Sequence, residues 1–167
     1  LNKDSAGAGS WIFAISYTEP TRLQFYKSGS TALERHTVTG SITVGDWQHV
    51  MATWDGGTTA TNIHLYRNGS ELTYAVTTNG SSLASDAAES LIIASRSDNI
   101  NEFDGIIDEV RLSNVVKTAD WVTTEYNSQN SPSTFYTLGP EISYGVLLPH
   151  APSSITHIAR KDNIVGY

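Results

Sequence analysis

The sequence predicts an all-β protein, an antiparallel two-sheet β-sandwich with one short helix near its C-terminal end. Three observations lead there. Short alternating apolar and polar runs recur between turn signals, at the ~8–12-residue spacing of sandwich strands. Asn68-Gly69, a strong tight-turn dipeptide, lies between two such runs. One stretch alone, 118–127, carries the cap and spacing of a helix.

In order, LNKDSAGAGS (1–10) reads as the end of a strand and a loop. Strands follow at 11–16 (WIFAIS) and 22–28 (RLQFYKS), with Glu19-Pro20 turning between them. Leu23 and Phe25 alternate with Arg22, Gln24 and Tyr26, so one face of the second strand is expected in solvent. A further strand is expected at 33–38. The stretch 46–69, DWQHVMATWDGGTTATNIHLYRNG, reads as a β-meander with an aromatic centre: a strand kinked near His49, a second at 63–66, and a third at 71–77 past the turn.

The run 78–90 is rich in Gly and Ser and is expected as a loop. A short strand at 91–95 and a loop at 96–105 follow. In GIIDEVRLS (105–113), taken as a strand, Asp108 shares its parity with Ile106, Val110 and Leu112. A carboxylate on a mostly apolar face needs a cation or hydrogen-bond donors. For the helix, Thr118 is the N-cap, Asp120 lies in the first turn, and Trp121, Val122, Glu125 and Tyr126 share a face. Pro132 blocks its extension, and a closing strand is expected at 134–139. Residues 141–167 differ in texture, with strand-like pieces at 144–148 and 155–159. The expected organisation is a sandwich over 1–140 and a tail or linker over 141–167, strand-forming with a neighbour.

Composition narrows the function classes. The 167 residues are 39% hydrophobic and 16% charged, with abundant Ser, Thr, Gly and Asn, as in secreted or surface-exposed β proteins. The formal net charge of -7 argues against nucleic acid, which needs clustered Lys and Arg, and leaves carboxylates for a hard cation. With no cysteine, disulfides, thiolate zinc sites and a cysteine nucleophile are excluded. No apolar run approaches the ~20 residues of a bilayer span, so no membrane insertion is expected. Residue 1 is Leu, and the chain is expected to be a fragment or processed product. The expected location is extracellular, on a cell surface or on a virion.

Three motifs then carry a resemblance. WQHVMATWDG (47–56) followed by HLYRNG (64–69) resembles the signature of laminin-G-like, concanavalin A-type jelly-roll domains. FDGIIDEVRLS (103–113) resembles their penultimate motif, and ADWVTTEYNSQNSPSTF (119–135) an extension found after it in bacterial, archaeal and phage-borne members. The resemblance covers roughly residues 1–139. It implies opening strands that precede the equivalent of Leu1, so either the chain starts inside the domain or another chain or segment completes the sandwich. It also implies that Trp47 and Trp54 lie largely in the core, and that Asp108 helps to hold a structural Ca2+. The alternatives for Asp108 are bonds from backbone amides or a pair with Lys3.

Other candidates are weaker. Asp98, Asn99 and Glu102 are placed to line a loop site, and Asp104 beside Gly105 is a turn former. Trp54 and Asp55 offer a ring face and a carboxylate to a sugar, against packing for the ring. His49 and His64 on paired strands are expected as one core and one exposed histidine rather than a metal pair. Paired catalytic carboxylates are lacking: Glu102-x-Asp104 is followed by Ile107, and Asp108 and Glu109 point to opposite faces. The leading expectation is a non-catalytic recognition or adhesion module binding glycans or protein partners. The alternative is a structural subunit of a filament, sheath or capsid decoration, self-assembling through its tail and open edges. A glycoside hydrolase is the distant third.

Overall fold

In β3 (Leu23–Lys27), Leu23, Phe25 and Lys27 are buried while Gln24 and Tyr26 are half-exposed, the alternation of a strand with one face on a core. The computed structural model describes residues 1–3, 9–95, 102–135 and 139. Two strands precede β3, namely β1 (Asn2–Lys3) and β2 (Trp11–Ile15). After it come β4 (Gly29–Thr31), β5 (Leu33–Thr37), β6 (Val50–Thr53), a 3-10 turn at Ala60–Asn62, β7 (His64–Arg67) and β8 (Ser70–Glu71). β9 (Tyr74–Thr78), β10 (Ser81–Leu83), β11 (Leu91–Ile92), α1 (Ala119–Asn130) and α2 (Pro132–Phe135) complete the described elements.

The strands form a six-stranded sheet in the order β11-β1-β2-β3-β5-β9, a three-stranded sheet β6-β7-β8, and the pair β10-β4. All the pairings are antiparallel. Leu23, Phe25 and Leu33 from the large sheet meet Ile63 and Leu65 from the segment of the small one, with Ile42 and Ala60 filling between. Trp11, Phe13, Ile15 and Trp54 pack around them. This is a β-sandwich of the predicted class.

Polar groups inside the core are satisfied locally. The Thr37 hydroxyl accepts from Leu23 N at 2.9 Å and donates to Leu23 O at 3.2 Å, where β5 shifts register between His36 and Thr37. Lys27 Nζ donates to Gly9 O at 2.8 Å and lies 3.7 Å from Asp86, while burial pulls its pKa down. The β7–β8 turn is set by Asn68 (φ 50) and Gly69 (φ 77), the paired positive φ of a type I′ turn, which places Tyr66 opposite Glu71.

Several expectations are corrected. Residues 78–90 are not all loop: β10 pairs with β4, and Gly29 allows the close approach, since a Cβ there would lie 2.5 Å from Ser81 O. The strand expected at 105–113 does not form. No backbone hydrogen bond joins its residues to other described residues, and Glu109 stands at φ 54, breaking the extended run. At 134–139 the closing strand is replaced, up to Phe135, by α2, which begins at Pro132, a position where a missing N–H is harmless; 136–138 lie outside the described residues. Trp47, expected in the core, is 69% exposed, because the 43–48 loop that carries it is closed on itself by Gln48 before β6 begins.

α1 follows its cap signal. The Thr118 hydroxyl accepts from Trp121 N at 3.3 Å, and Val122 and Glu125 are the buried residues. Among the described residues no helix is long and apolar enough to cross a membrane. Residues Leu1–Tyr136 form one compact unit, and Thr137–Tyr167 a second. Apart from Gly139, the stretch 136–167, and with it the expected tail, lies outside the described residues.

Two imidazoles give the fold a pH dependence. Burial lowers the pKa of His36 and of His49 below 6.5, with opposing charge effects from Glu34 and Arg22 on the first and Glu125 and Arg111 on the second. The folded state therefore holds fewer protons than the unfolded chain below pH 6.5. The stabilisation is complete above that pH and declines as acid is added through the folded pKa values. Thermal melts from pH 7.5 down to pH 5.5 (about one unit either side of the reference histidine value) are expected to show a falling Tm, flattened in His36→Phe. A Tm that rises on acidification would contradict this.

Candidate functional site

The outer face of the small sheet, opposite the face that bears Leu65, carries a cleft. Thr53 pairs with His64 and Tyr66 pairs with Glu71, so all four side chains share that face. The segment Val116–Ala119, entering α1, forms the opposite wall, and the cleft encloses about 330 Å³. Tyr66 and Thr53 are buried at its floor, and Val116 is exposed at its rim.

Glu71 is its electrostatic centre. Its Oε1 accepts from the Tyr74 hydroxyl at 2.7 Å and lies 2.8 Å from His64 Nδ1. Burial acts to raise its pKa, but the bonds from Tyr74 and His64 outweigh that and hold it below its usual value. The carboxylate is therefore ionised at neutral pH, with Oε2 free of partners among the described residues. Tyr74 is locked in turn: its hydroxyl accepts from Leu65 N at 2.9 Å, and the Arg35 guanidinium stacks 3.5 Å over its ring. Burial, then the bond to Glu71, pushes the Tyr74 pKa far above its normal range. Burial also raises that of Tyr66, as does the Glu71 charge, against a hydrogen bond with Thr53.

α1 is fastened beside this cleft. Thr123 Oγ1 donates to Gly69 O at 2.9 Å, and Arg111 Nη1 donates to Glu125 Oε1 at 2.7 Å. Arg111 Nη2 also donates to Glu109 at 2.6 Å. Among the described residues, Glu125 Oε2 and His49 Nδ1 are buried without a hydrogen-bond partner.

The residues singled out in the sequence fall elsewhere. Asp108 is exposed, and its Oδ1 accepts from Glu109 N at 2.8 Å. Lys3 pairs instead with Asp86 at 3.8 Å. Among the described residues no three histidine, aspartate or glutamate side chains converge on a position for a metal ion. Glu102 and Asp104 are exposed, and Asp98 and Asn99 lie outside the described residues. Asp55 organises its own loop: Oδ1 accepts from Gly57 N at 2.9 Å and Oδ2 from Asn62 Nδ2 at 2.6 Å, and these bonds lower its pKa. Trp54 lies tilted against Phe25, ring centroids 5.4 Å apart, and donates Nε1–H to Gly57 O. His49 precedes β6 while His64 pairs with Thr53, so the two do not face each other.

Glu71, Tyr66 and Tyr74 were not among the sequence candidates. The signal for them was the Asn68-Gly69 turn, which fixes Tyr66 against Glu71 and brings His64 to the same face.

The chain belongs to the concanavalin A-like lectin/glucanases superfamily, whose family model matches residues 2–123. Among solved structures, an S-layer domain-containing protein from Clostridium thermocellum is similar at 20% identity and a TM-score of 0.36, over 75% of this chain and 61% of that one. Comparison with curated proteins returned no match.

Proposed function

We propose that the chain is a non-catalytic recognition module of a larger extracellular or surface protein, binding a neutral glycan in the cleft between the small sheet and Val116–Ala119. The observation that carries this reading is the convergence of Glu71 and His64 above Tyr66 and Thr53. An ionised carboxylate with one free oxygen accepts from a sugar hydroxyl, the His64 ring nitrogen not held by Glu71 exchanges bonds with a second, and Val116 offers the ring an apolar surface. The volume is at the small end of ligand clefts, ~300–1,000 Å³, which suits one sugar ring.

The same inventory favours binding over hydrolysis. Glycoside cleavage uses two carboxyl groups roughly 5–9.5 Å apart across the scissile bond. Among the described residues Glu71 is the only carboxylate lining this cleft. Titration calorimetry with neutral hexoses and their oligomers is expected to show binding that Glu71→Gln weakens about tenfold, the loss of one charge-assisted hydrogen bond. Parent and variant binding with equal affinity would remove the cleft from the reading. A structural role in a surface assembly is the second reading, favoured by the edge of β6, which has no partner strand among the described residues, and by exposed apolar residues between Phe103 and Val116.

A further inference from the structure

The cleft ends a chain of hydrogen bonds whose direction is set at its buried end. Leu65 N is a backbone N–H and can only donate, so the Tyr74 oxygen 2.9 Å away accepts. The Tyr74 hydroxyl proton is then directed to Glu71 Oε1 at 2.7 Å. An ionised carboxylate can only accept. The other contact on Oε1, 2.8 Å from His64 Nδ1, therefore has its proton on the ring nitrogen.

That assignment decides what the cleft offers a ligand. A neutral imidazole carries one proton, and with Nδ1 holding it, Nε2 is a bare acceptor. Glu71 Oε2, without a partner among the described residues, is a second acceptor. The two side chains are 41% and 40% exposed and line the cleft together. Neither atom has a proton to give.

We propose that this wall recognises two neighbouring hydroxyl groups of one sugar ring by accepting a proton from each, one at Glu71 Oε2 and one at His64 Nε2. The inference deepens the glycan reading above and rests on it. Tyr74 is the positioning residue. It comes from β9 of the large sheet and does not line the cleft, yet it fixes which way the protons of the chain point. Arg35 of β5 holds its ring, with the guanidinium over the ring face and Nη1 donating to Thr77 Oγ1. The sugar oxygens keep lone pairs for the opposite wall, where Thr118 Oγ1 accepts from Trp121 N and retains its own proton.

Fluorinated sugars test the ligand side. A hydroxyl replaced by fluorine keeps its place and polarity but cannot donate. In the hexose that calorimetry finds to bind most tightly, fluorine at either of two neighbouring positions is expected to weaken binding about tenfold or more, and at the other positions less. Losses spread evenly around the ring overturn the proposal.

The acceptor pair is tested without any sugar. Nitrogen-15 NMR at about pH 8, above the usual imidazole range, is expected to find the His64 proton on Nδ1. A proton on Nε2 overturns the proposal. Tyr74→Phe should raise the midpoint of the Glu71 carboxyl titration, because burial acts upward and the Tyr74 bond opposes it. An unmoved midpoint in a folded variant overturns the role of Tyr74; should the variant not fold, the ring proton and the fluorine series decide. A proton on Nδ1 with no hexose bound would sink the glycan reading, and the paired hydroxyls with it.

Discussion

A Leu65→Ala variant is expected to lose about 3–4 kcal/mol of stability, the range for a large side chain removed from a close-packed site. Leu65 has no exposure and lies where β7 meets Leu23, Phe25 and Leu33 of the large sheet. Two packed layers collapse poorly around a missing isobutyl group, because neither sheet can move without breaking its own ladder. The loss is a large part of the roughly 5–15 kcal/mol that holds a typical domain together. Urea unfolding would show a lowered midpoint at unchanged slope. A loss below about 1.5 kcal/mol would mean the two sheets are not packed through Leu65 as described.

The second large effect comes from removing one oxygen. Thr37→Val keeps shape and volume but deletes the hydroxyl that both accepts from Leu23 N and donates to Leu23 O. Leu23 is 1% exposed and Thr37 not at all, so water cannot replace either bond. A buried N–H left without a partner costs about 1–3 kcal/mol, and a carbonyl loses its donor at the same time, so about 2–3 kcal/mol is expected. Thr37→Ser, which keeps the oxygen and drops a methyl, should lose only about 1 kcal/mol. Equal losses in the two variants would assign the role of Thr37 to packing.

These two residues also show where the sequence was readable. The run from Leu23 to Lys27 alternates cleanly, and β2, β3 and β5 lie close to where the sequence reading places strands. The Thr118 cap and the Asn68-Gly69 turn are local chemistry, legible because their partners lie within a few residues. β10 was not legible: Ser81 and Ser82 have no strand preference, and what makes them a strand is β4, where Gly29 admits Ser81 O and Thr31 N donates to Ser81 Oγ from 50 residues away. Residues 105–113 fail in the opposite sense. Their composition fits a strand, but a ladder needs a partner, and the described residues supply none.

The candidate site was hidden for a related reason. His64, Glu71 and Tyr74 are ordinary residues of a meander until the type I′ turn sets their register and Arg35 arrives over Tyr74 from β5. Asp108 drew attention because its parity implied burial, and it loses that claim once the backbone around Glu109 leaves the extended run. Trp54 and Asp55 are adjacent in sequence but divide their roles, the ring going to Phe25 and the carboxylate to Gly57 and Asn62.

The place of β1 in the large sheet has a consequence for the order of assembly. β1 lies between β2 and β11, with Asn2 opposite both Ile12 and Ile92, and Asn2 Nδ2 reaching Ser95 O. On a ribosome adding roughly 5–20 residues per second, the far side of that strand waits about 5–20 s for its partner. Until then the nascent sheet ends on a two-residue strand held from one side. The outermost edge of the large sheet is thus closed late, by β11, and an early-emerging β2–β3 hairpin is the surface on which the rest condenses.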